Sequence, residues 1–379
     1  MSVRSFGVEE ELLLVAPETG QPRAVAGTVL QTLQHEVTAS GGGPDGRGGG
    51  HEAADALESE LQQQQMETNT RPCRSLDELD REVRRCRSWA ADAAQRAGVQ
   101  VAALATSPVS VEPTIMDKER YQEIADVFGL TAQEQLTCGC HVHVEISSEE
   151  EGVATLDRIR PWLPVLLALS ANSPFWQGRD SAYASFRYQV WGRWPTSGPT
   201  PAFGSAANYR STVEQMMLTD TALDTGMVYF DARLSEHYPT LEVRVADVCL
   251  HAADAVLVAA LVRALVETEA RNWRAGQPGP NQRVELLRLA AWRASRSGLD
   301  GVLLDPATFR PQSAANVANS LLEHVYDALS DAGDAGAVAE LLAAVLERGN
   351  GAAFQRGAYD KTRDMRSVVT GAAALTAAQ

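Results

Sequence analysis

The chain has 379 residues, enough for two average domains or one large α/β or α+β domain with insertions. Its hydrophobic fraction of 45% excludes disorder as the main state, and its 33 basic against 49 acidic residues (net −16) oppose non-specific attraction to nucleic acid or an anionic membrane. The longest apolar run, Ala255 to Val266, is broken by Arg263 and falls short of the roughly 18 residues that a membrane-spanning helix needs.

Glu9, Glu10 and Glu11 arrive at once, where a leader would be basic and then apolar, so a soluble cytoplasmic protein is expected. Five scattered cysteines without a C-x-x-C pair fit a reducing compartment. Lys118 and Lys361 are the only lysines, and no G-x-x-x-x-G-K-[ST] sequence exists, which rules out a P-loop nucleotide site. Any phosphate-bearing ligand would have to be held by arginine and metal.

In chain order, Phe6 to Val15 reads as a strand with acidic residues at its start. Gly41 to Gly50 has too little side chain to pack and reads as a surface loop. Ser59 to Thr70, with Glu60 and Glu67 around four glutamines, fits helix or strand. Ser75 with Glu78 is a capping box opening a helix that runs to Gly98. Val99 to Ala105 alternates as a strand, and another strand spans Cys138 to Ile146. A helix from about Gly152 to Ala171 carries Pro161 and Pro164. The stretch Phe186 to Asn208, rich in Trp, Arg, Pro and Gly, reads as a loop over a ligand. Met227 to Phe230 and Thr240 to Val248 look like strands. Helical patterns follow at Ala252–Trp273, Val284–Ser295, Ala315–Leu329 and Ala337–Arg348, and the small, polar tail from Thr362 should be ordered only if docked. Strands dominate the first two thirds and helices the last, which indicates α+β. We expect one catalytic domain over 1–379, with a sheet-rich core at 1–250 and a mainly helical part at 251–379.

Three strands carry charged residues two apart, so that both members of each pair project from one face. Glu9 and Glu11 repel unless a cation or water lies between them. His141 and His143 repeat the geometry, with Glu145 next on the same face. Cys138 and Cys140 fall on the opposite face, which makes a Cys2His2 zinc site unlikely to come from this segment. Glu242 and Arg244 form the third pair, opposite Leu241, Val243 and Val245. Taken singly, each pair also fits a solvated sheet edge. Together they point to a polar sheet face lining a metal site, where hard carboxylates with one imidazole suit Mg²⁺ or Mn²⁺.

Gly7-Val8-Glu9-Glu10-Glu11-Leu12, Glu60-x6-Glu67 with Thr70, Cys138-Gly139-Cys140-His141-Val142-His143, Arg193-Trp194-Pro195 and Glu242-Val243-Arg244 occur in one order. The set resembles the carboxylate–amine ligases of the glutamate–cysteine ligase type 2 family, from about Ser2 to Asp247. The resemblance implies a glutamine-synthetase-like fold, whose curved antiparallel sheet forms the active site, and an ATP-dependent ligase that makes an amide through an acyl phosphate. It implies metal ligands at Glu9, Glu11, Glu60, Glu67, His141 and Glu242, with Glu242 and Arg244 at the chemistry. On an ideal strand Glu60 and Glu67 would face opposite ways, so a bulge or bend is expected. Phosphoryl transfer runs on positioning and charge neutralisation, which makes Arg244 and then Arg233 the candidates for the phosphates. Arg187, Arg193 and Arg210 are candidates for substrate carboxylates. Amino-acid substrates, ATP with Mg²⁺ and a homodimer are the expected partners. The competing readings are a metallohydrolase built on His141, His143 and Glu145, which lacks an H-E-x-x-H pair, and a non-catalytic relative that only binds ligand.

Overall fold

The structure, a computed structural model, describes residues 3–39, 53, 54 and 56–379, the side chains at 35–39 excepted. The glycine-rich stretch Gly41–Gly50 lies outside them.

Seven strands make one antiparallel sheet. β1 (Phe6–Val15) is central, flanked on one side by β2 (Leu57–Ser59) and β3 (Gln65–Asn69) and extended at its far end by β4 (Gln100–Ala102). β5 (Gly139–Glu145) lies on its other side. The hairpin of β6 (Phe175–Trp176) and β7 (Arg179–Asp180) stands apart, and β8 (Ala232–Leu234) and β9 (Thr240–Asp247) complete the order β2-β3-β1-β5-β9-β8. Register sets Glu11 opposite Glu67, Glu9 opposite His141, and His143 opposite Glu242, which in turn faces Arg233. Between β5 and β9 the pairing slips between Cys140 and Val142, a bulge beside His141.

Alternation divides the two faces. Phe6, Val8, Val142, Val144, Leu241 and Val243 point backwards into a core shared with the helices Glu149–Ile159, Leu163–Ser170 and Ala252–Arg274. A second cluster gathers Leu12–Val15 with Val101–Ala105 and the helix Met365–Ala377. The polar tail is thus largely a helix whose Val368, Val369, Ala372 and Ala373 are buried.

The helix Leu76–Arg96 starts as its sequence implies. The Ser75 hydroxyl accepts from Glu78 N–H, and the Glu78 carboxylate accepts from Ser75 N–H. The segment around the two prolines is broken into Glu149–Ile159, a 3₁₀ turn Arg160–Trp162, and Leu163–Ser170, with a proline at the start of each of the last two. Three expectations need correction. Phe186–Trp191, read as loop, is a helix capped by Ser185. The strand expected at Met227–Phe230 lies at Ala232–Leu234, after a 3₁₀ turn at Thr225–Met227. The single helix expected over Ala315–Leu329 is two, Ala314–His324 and Tyr326–Ala332.

Candidate active site

Glu9 and Glu11 leave the open face of β1 side by side, and three groups of ligand atoms gather around them. Glu9, Glu67 and His141 form one, Glu9, His143 and Glu242 a second, and Glu11, Glu60 and Glu67 a third; in each the atoms lie within 4.8 Å of one another. Glu60 reaches the cluster by a turn, since β2 ends at Ser59 and the next residues double back into β3. No bulge is needed. The four glutamines hold that turn, their amide nitrogens donating to the carbonyls of Ala132, Ile115, Glu112 and Thr137 at 2.8, 3.1, 3.0 and 3.4 Å. The sequence offered no role for this run.

Charge separates the cluster into two parts. Glu11, Glu60 and Glu67 form no ion pair with arginine or lysine among the described residues. Burial and the charge of Glu60 raise the Glu11 carboxyl to about 7, against the opposing charge of Arg187 and the Gly139 N–H that donates to it at 2.6 Å. Burial, then Glu60 and Glu9, push Glu67 well above the usual carboxylate range, and it shares a hydrogen bond with Glu60. Buried carboxylates that must share a proton to coexist fit a site built for a cation.

The other part is internally compensated. His141 Nδ1 lies 3.2 Å from Glu9 Oε2, and His143 Nε2 lies 3.0 Å from Glu9 Oε1, with its Nδ1 3.0 Å from the Thr240 hydroxyl. Burial works to raise Glu9, but its close contacts with the two histidines outweigh it and hold it well below the usual range. Burial and Arg244 lower His141 to about 4, so its imidazole is neutral near pH 7, and its Nε2 is buried without a hydrogen-bond partner among the described residues. A neutral imidazole with an uncommitted nitrogen suits metal ligation. Glu242 sits between two guanidinium groups. Arg233 Nε donates to it at 2.7 Å, and Arg244 forms an ion pair with it. Burial works to raise this carboxyl too, yet Arg244 and Arg233 hold it at about 2.

The candidate substrate arginines separate. Arg187 is 1% exposed and lies directly over Gly139, where an added Cβ would stand 2.3 Å from its Nη2 and 3.1 Å from His141 Nε2. Only glycine permits that approach, so the glycine of Cys-Gly-Cys is a site residue that a search for ligands and nucleophiles misses. Arg187 and Arg244 both stack on Trp191, at 5.5 and 5.9 Å, and the Nε of each is buried and unpartnered among the described residues. Asp247 secures this corner, accepting from Asn172 N–H and from the Ser173 and Ser185 hydroxyls at 2.7–2.8 Å, with Arg187 Nη1 at 3.9 Å. Arg210 lines a cavity of about 660 Å³ together with Glu9, Arg233 and Glu242, while its own guanidinium pairs with Glu149. Arg193 stands apart from the other two candidates. It pairs with Glu134 at 2.5 Å in a half-exposed position and lines neither this cavity nor a second one of about 1130 Å³ beside Glu67, Asn69 and Trp89. Both cavities open onto Glu9 and His143, with the turn His237–Thr240 common to both.

Residues 5–372 match the family described as glutamate-cysteine ligase family 2. A Streptomyces avermitilis protein named "Putative glutamate–cysteine ligase 2-1" is 55% identical over 97% of this chain and 98% of its own length. A Streptomyces coelicolor protein named "Putative glutamate–cysteine ligase 2" is 52% identical over 97% of each. Among solved structures, a bifunctional glutathione synthetase from Pasteurella multocida superposes with a TM-score of 0.68 at 15% identity, over 99% of this chain and 52% of that one. A glutamate–cysteine ligase from Francisella tularensis, in complex with AMP, gives 0.66 at 13% identity, over 100% of this chain and 89% of that one. At those identities the likeness concerns the fold, which is the glutamine-synthetase-like sheet with flanking helices.

Proposed function

The chain belongs to glutamate–cysteine ligase family 2, and from that premise we propose that it is an ATP-dependent carboxylate–amine ligase forming a γ-glutamylcysteine-type amide. In the first step a carboxylate oxygen attacks the γ-phosphorus of ATP, the bond to the bridging oxygen breaks, and ADP leaves with that electron pair. In the second the amine nitrogen attacks the acyl carbon, phosphate departs with the electrons of its C–O bond, and the nitrogen loses a proton. No protein nucleophile is required.

The observation that carries this reading is the buried acidic face, whose carboxylates are arranged in threes and left partly uncompensated. We assign Glu9, Glu11, Glu60, Glu67, His141 and Glu242 to magnesium, with manganese as a substitute. When bound, the metal neutralises phosphate oxygens that would otherwise repel the carboxylate substrate. Arg233 and Arg244 keep fixed positive charge beside Glu242, which suits them to the phosphates. Arg187, held against Trp191 and above Gly139, is assigned to the substrate carboxylate, and Arg210 is a second candidate from the cavity wall.

The helix Ala252–Arg274 packs on the back of the strands, which supports one catalytic domain over 1–379. A homodimer in the cytoplasm completes the proposal. The five cysteines are free thiols, in keeping with a reducing compartment, and among the described residues no helix is long and apolar enough to cross a membrane. The test is carboxylate-dependent ADP release with hydroxylamine as the trapping amine. Hydroxamate formation is expected. A broad amino-acid panel giving no carboxylate-dependent ADP would overturn the reading.

A further inference from the structure

The helix Val284–Ser297 buries Leu287, Ala290, Ala291 and Ala294 and turns the opposite side to solvent. That outer side is unusually apolar, with Leu286, Leu289 and Trp292 exposed by 40, 57 and 42%. Trp292 is fixed in this position, its indole N–H donating to the Tyr183 hydroxyl at 3.3 Å.

Along the centre of the outer side run Glu285, Leu289, Trp292 and Arg296, all exposed and spaced four, three and four residues apart. This spacing makes a straight stripe of the kind two helices use to pack lengthwise. The stripe is also self-complementary. Placed antiparallel to a copy of itself, about a two-fold axis passing between positions 290 and 291, it sets Leu289 against Trp292 and Glu285 against Arg296, each contact occurring twice. On the flanks Arg293 of one copy meets Leu286 of the other, and the two Arg288 residues stand out of register. A closed two-fold interface needs this self-complementarity.

Both charges stand at the surface, where their present contacts contribute little. Glu285 pairs with Arg283 on the surface, with the two side chains 59 and 78% exposed, an arrangement that contributes little. Arg296 rests 5.6 Å from the Tyr183 ring and forms no ion pair among the described residues. On its inner side the same helix accepts the N–H groups of Ala184 and Ser185 at the Ser295 carbonyl, each at 2.9 Å, next to the helix that carries Arg187.

We propose that this stripe is the homodimer interface, helix 284–297 packing antiparallel against the same helix of a second copy. The proposal builds on the homodimer suggested above and is independent of the ligase chemistry, because the test reads mass rather than turnover. Light scattering and sedimentation equilibrium of the full chain at micromolar concentration should give twice the chain mass. Leu289→Glu should weaken association by about a hundredfold or more, since it puts a charge at the apolar centre. Glu285→Arg and Arg296→Glu should each weaken it by about tenfold, and the double variant should restore it. Circular dichroism of each variant checks that the helix remains. A monomeric wild type would overturn the dimer itself. A dimer indifferent to Leu289→Glu would overturn this surface, and failure of the double exchange to rescue would overturn the antiparallel register.

Discussion

Glu10 and Glu11 are neighbours on one strand and meet opposite surroundings. Glu10 points to the back of the sheet, where Arg87 grips both its oxygens at 2.6 and 2.9 Å and in turn donates to the carbonyls of Cys249 and Leu250. Glu11 points to the front, where Glu60 and Glu67 crowd it and where, among the described residues, its one hydrogen-bond donor is the backbone N–H of Gly139. The chain thus gives the rear carboxylate a buried ion pair and leaves Glu11, Glu60 and Glu67 in front without one among the described residues. Glu10, buried at the back and held by Arg87 on both oxygens, is architecture. Carboxylates left to repel one another await something from outside, and a divalent cation is the species that fits.

Substitutions on the two faces should therefore behave in opposite ways. The largest effect is expected at the back. Glu10→Gln leaves Arg87 buried without its counter-charge, which should cost about 3–5 kcal/mol in chemical denaturation while the folded fraction keeps wild-type turnover. At the front, Glu67→Gln replaces a carboxyl whose ionisation burial and the neighbouring Glu60 and Glu9 oppose. Its metal-free melting temperature should hold or rise, while ADP release falls on the order of a hundredfold, about 3 kcal/mol in the transition state.

Glu242 is intermediate. Burial between Arg233 and Arg244 means that Glu242→Gln should lower turnover and stability together, because it leaves two guanidinium groups uncompensated. A solvated Glu242–Arg244 pair would leave both unchanged, and assay alongside calorimetry distinguishes the outcomes.

pH sharpens the contrast further. A carboxyl raised in the folded state stabilises the fold while protonated, and that contribution is lost as pH climbs through its folded value. Glu11 is raised to about 7, with Glu60 and Glu67 moved the same way. The chelated protein should accordingly lose stability between the ordinary carboxylate range and about pH 7, by on the order of a few kcal/mol. Saturating magnesium should flatten the slope. The smallest effect belongs to Arg193→Ala. Its exposed pair with Glu134 contributes under about 1 kcal/mol, and turnover should stay within about twofold of wild type.

Strand alternation made much of this site legible in advance. The pairs at Glu9 and Glu11, at His141 and His143, and at Glu242 and Arg244 needed only a period of two to share a face. The capping box at Ser75 was equally local, and its helix carries Arg87. Glu60 was not legible by the same rule, because a turn and not a strand returns it to Glu67, and turn geometry depends on the carbonyls that the four glutamines find elsewhere. Arg187 was visible only as one arginine among several. What selects it is the missing side chain at Gly139, a contact between residues 48 positions apart that no local pattern encodes. The helix at Phe186–Trp191 was hidden by its aromatic composition, since Ser185 and burial hold it in place.

The most direct test is thermal denaturation of the EDTA-treated protein titrated with Mn²⁺, in wild type, Glu67→Gln and Glu10→Gln. If the front face is a cation site, the wild type should gain melting temperature in a saturable way, Glu10→Gln should gain as much from its lower baseline, and Glu67→Gln should gain little. A wild type that does not respond, or a Glu67→Gln variant that responds as fully as the wild type, would contradict the account.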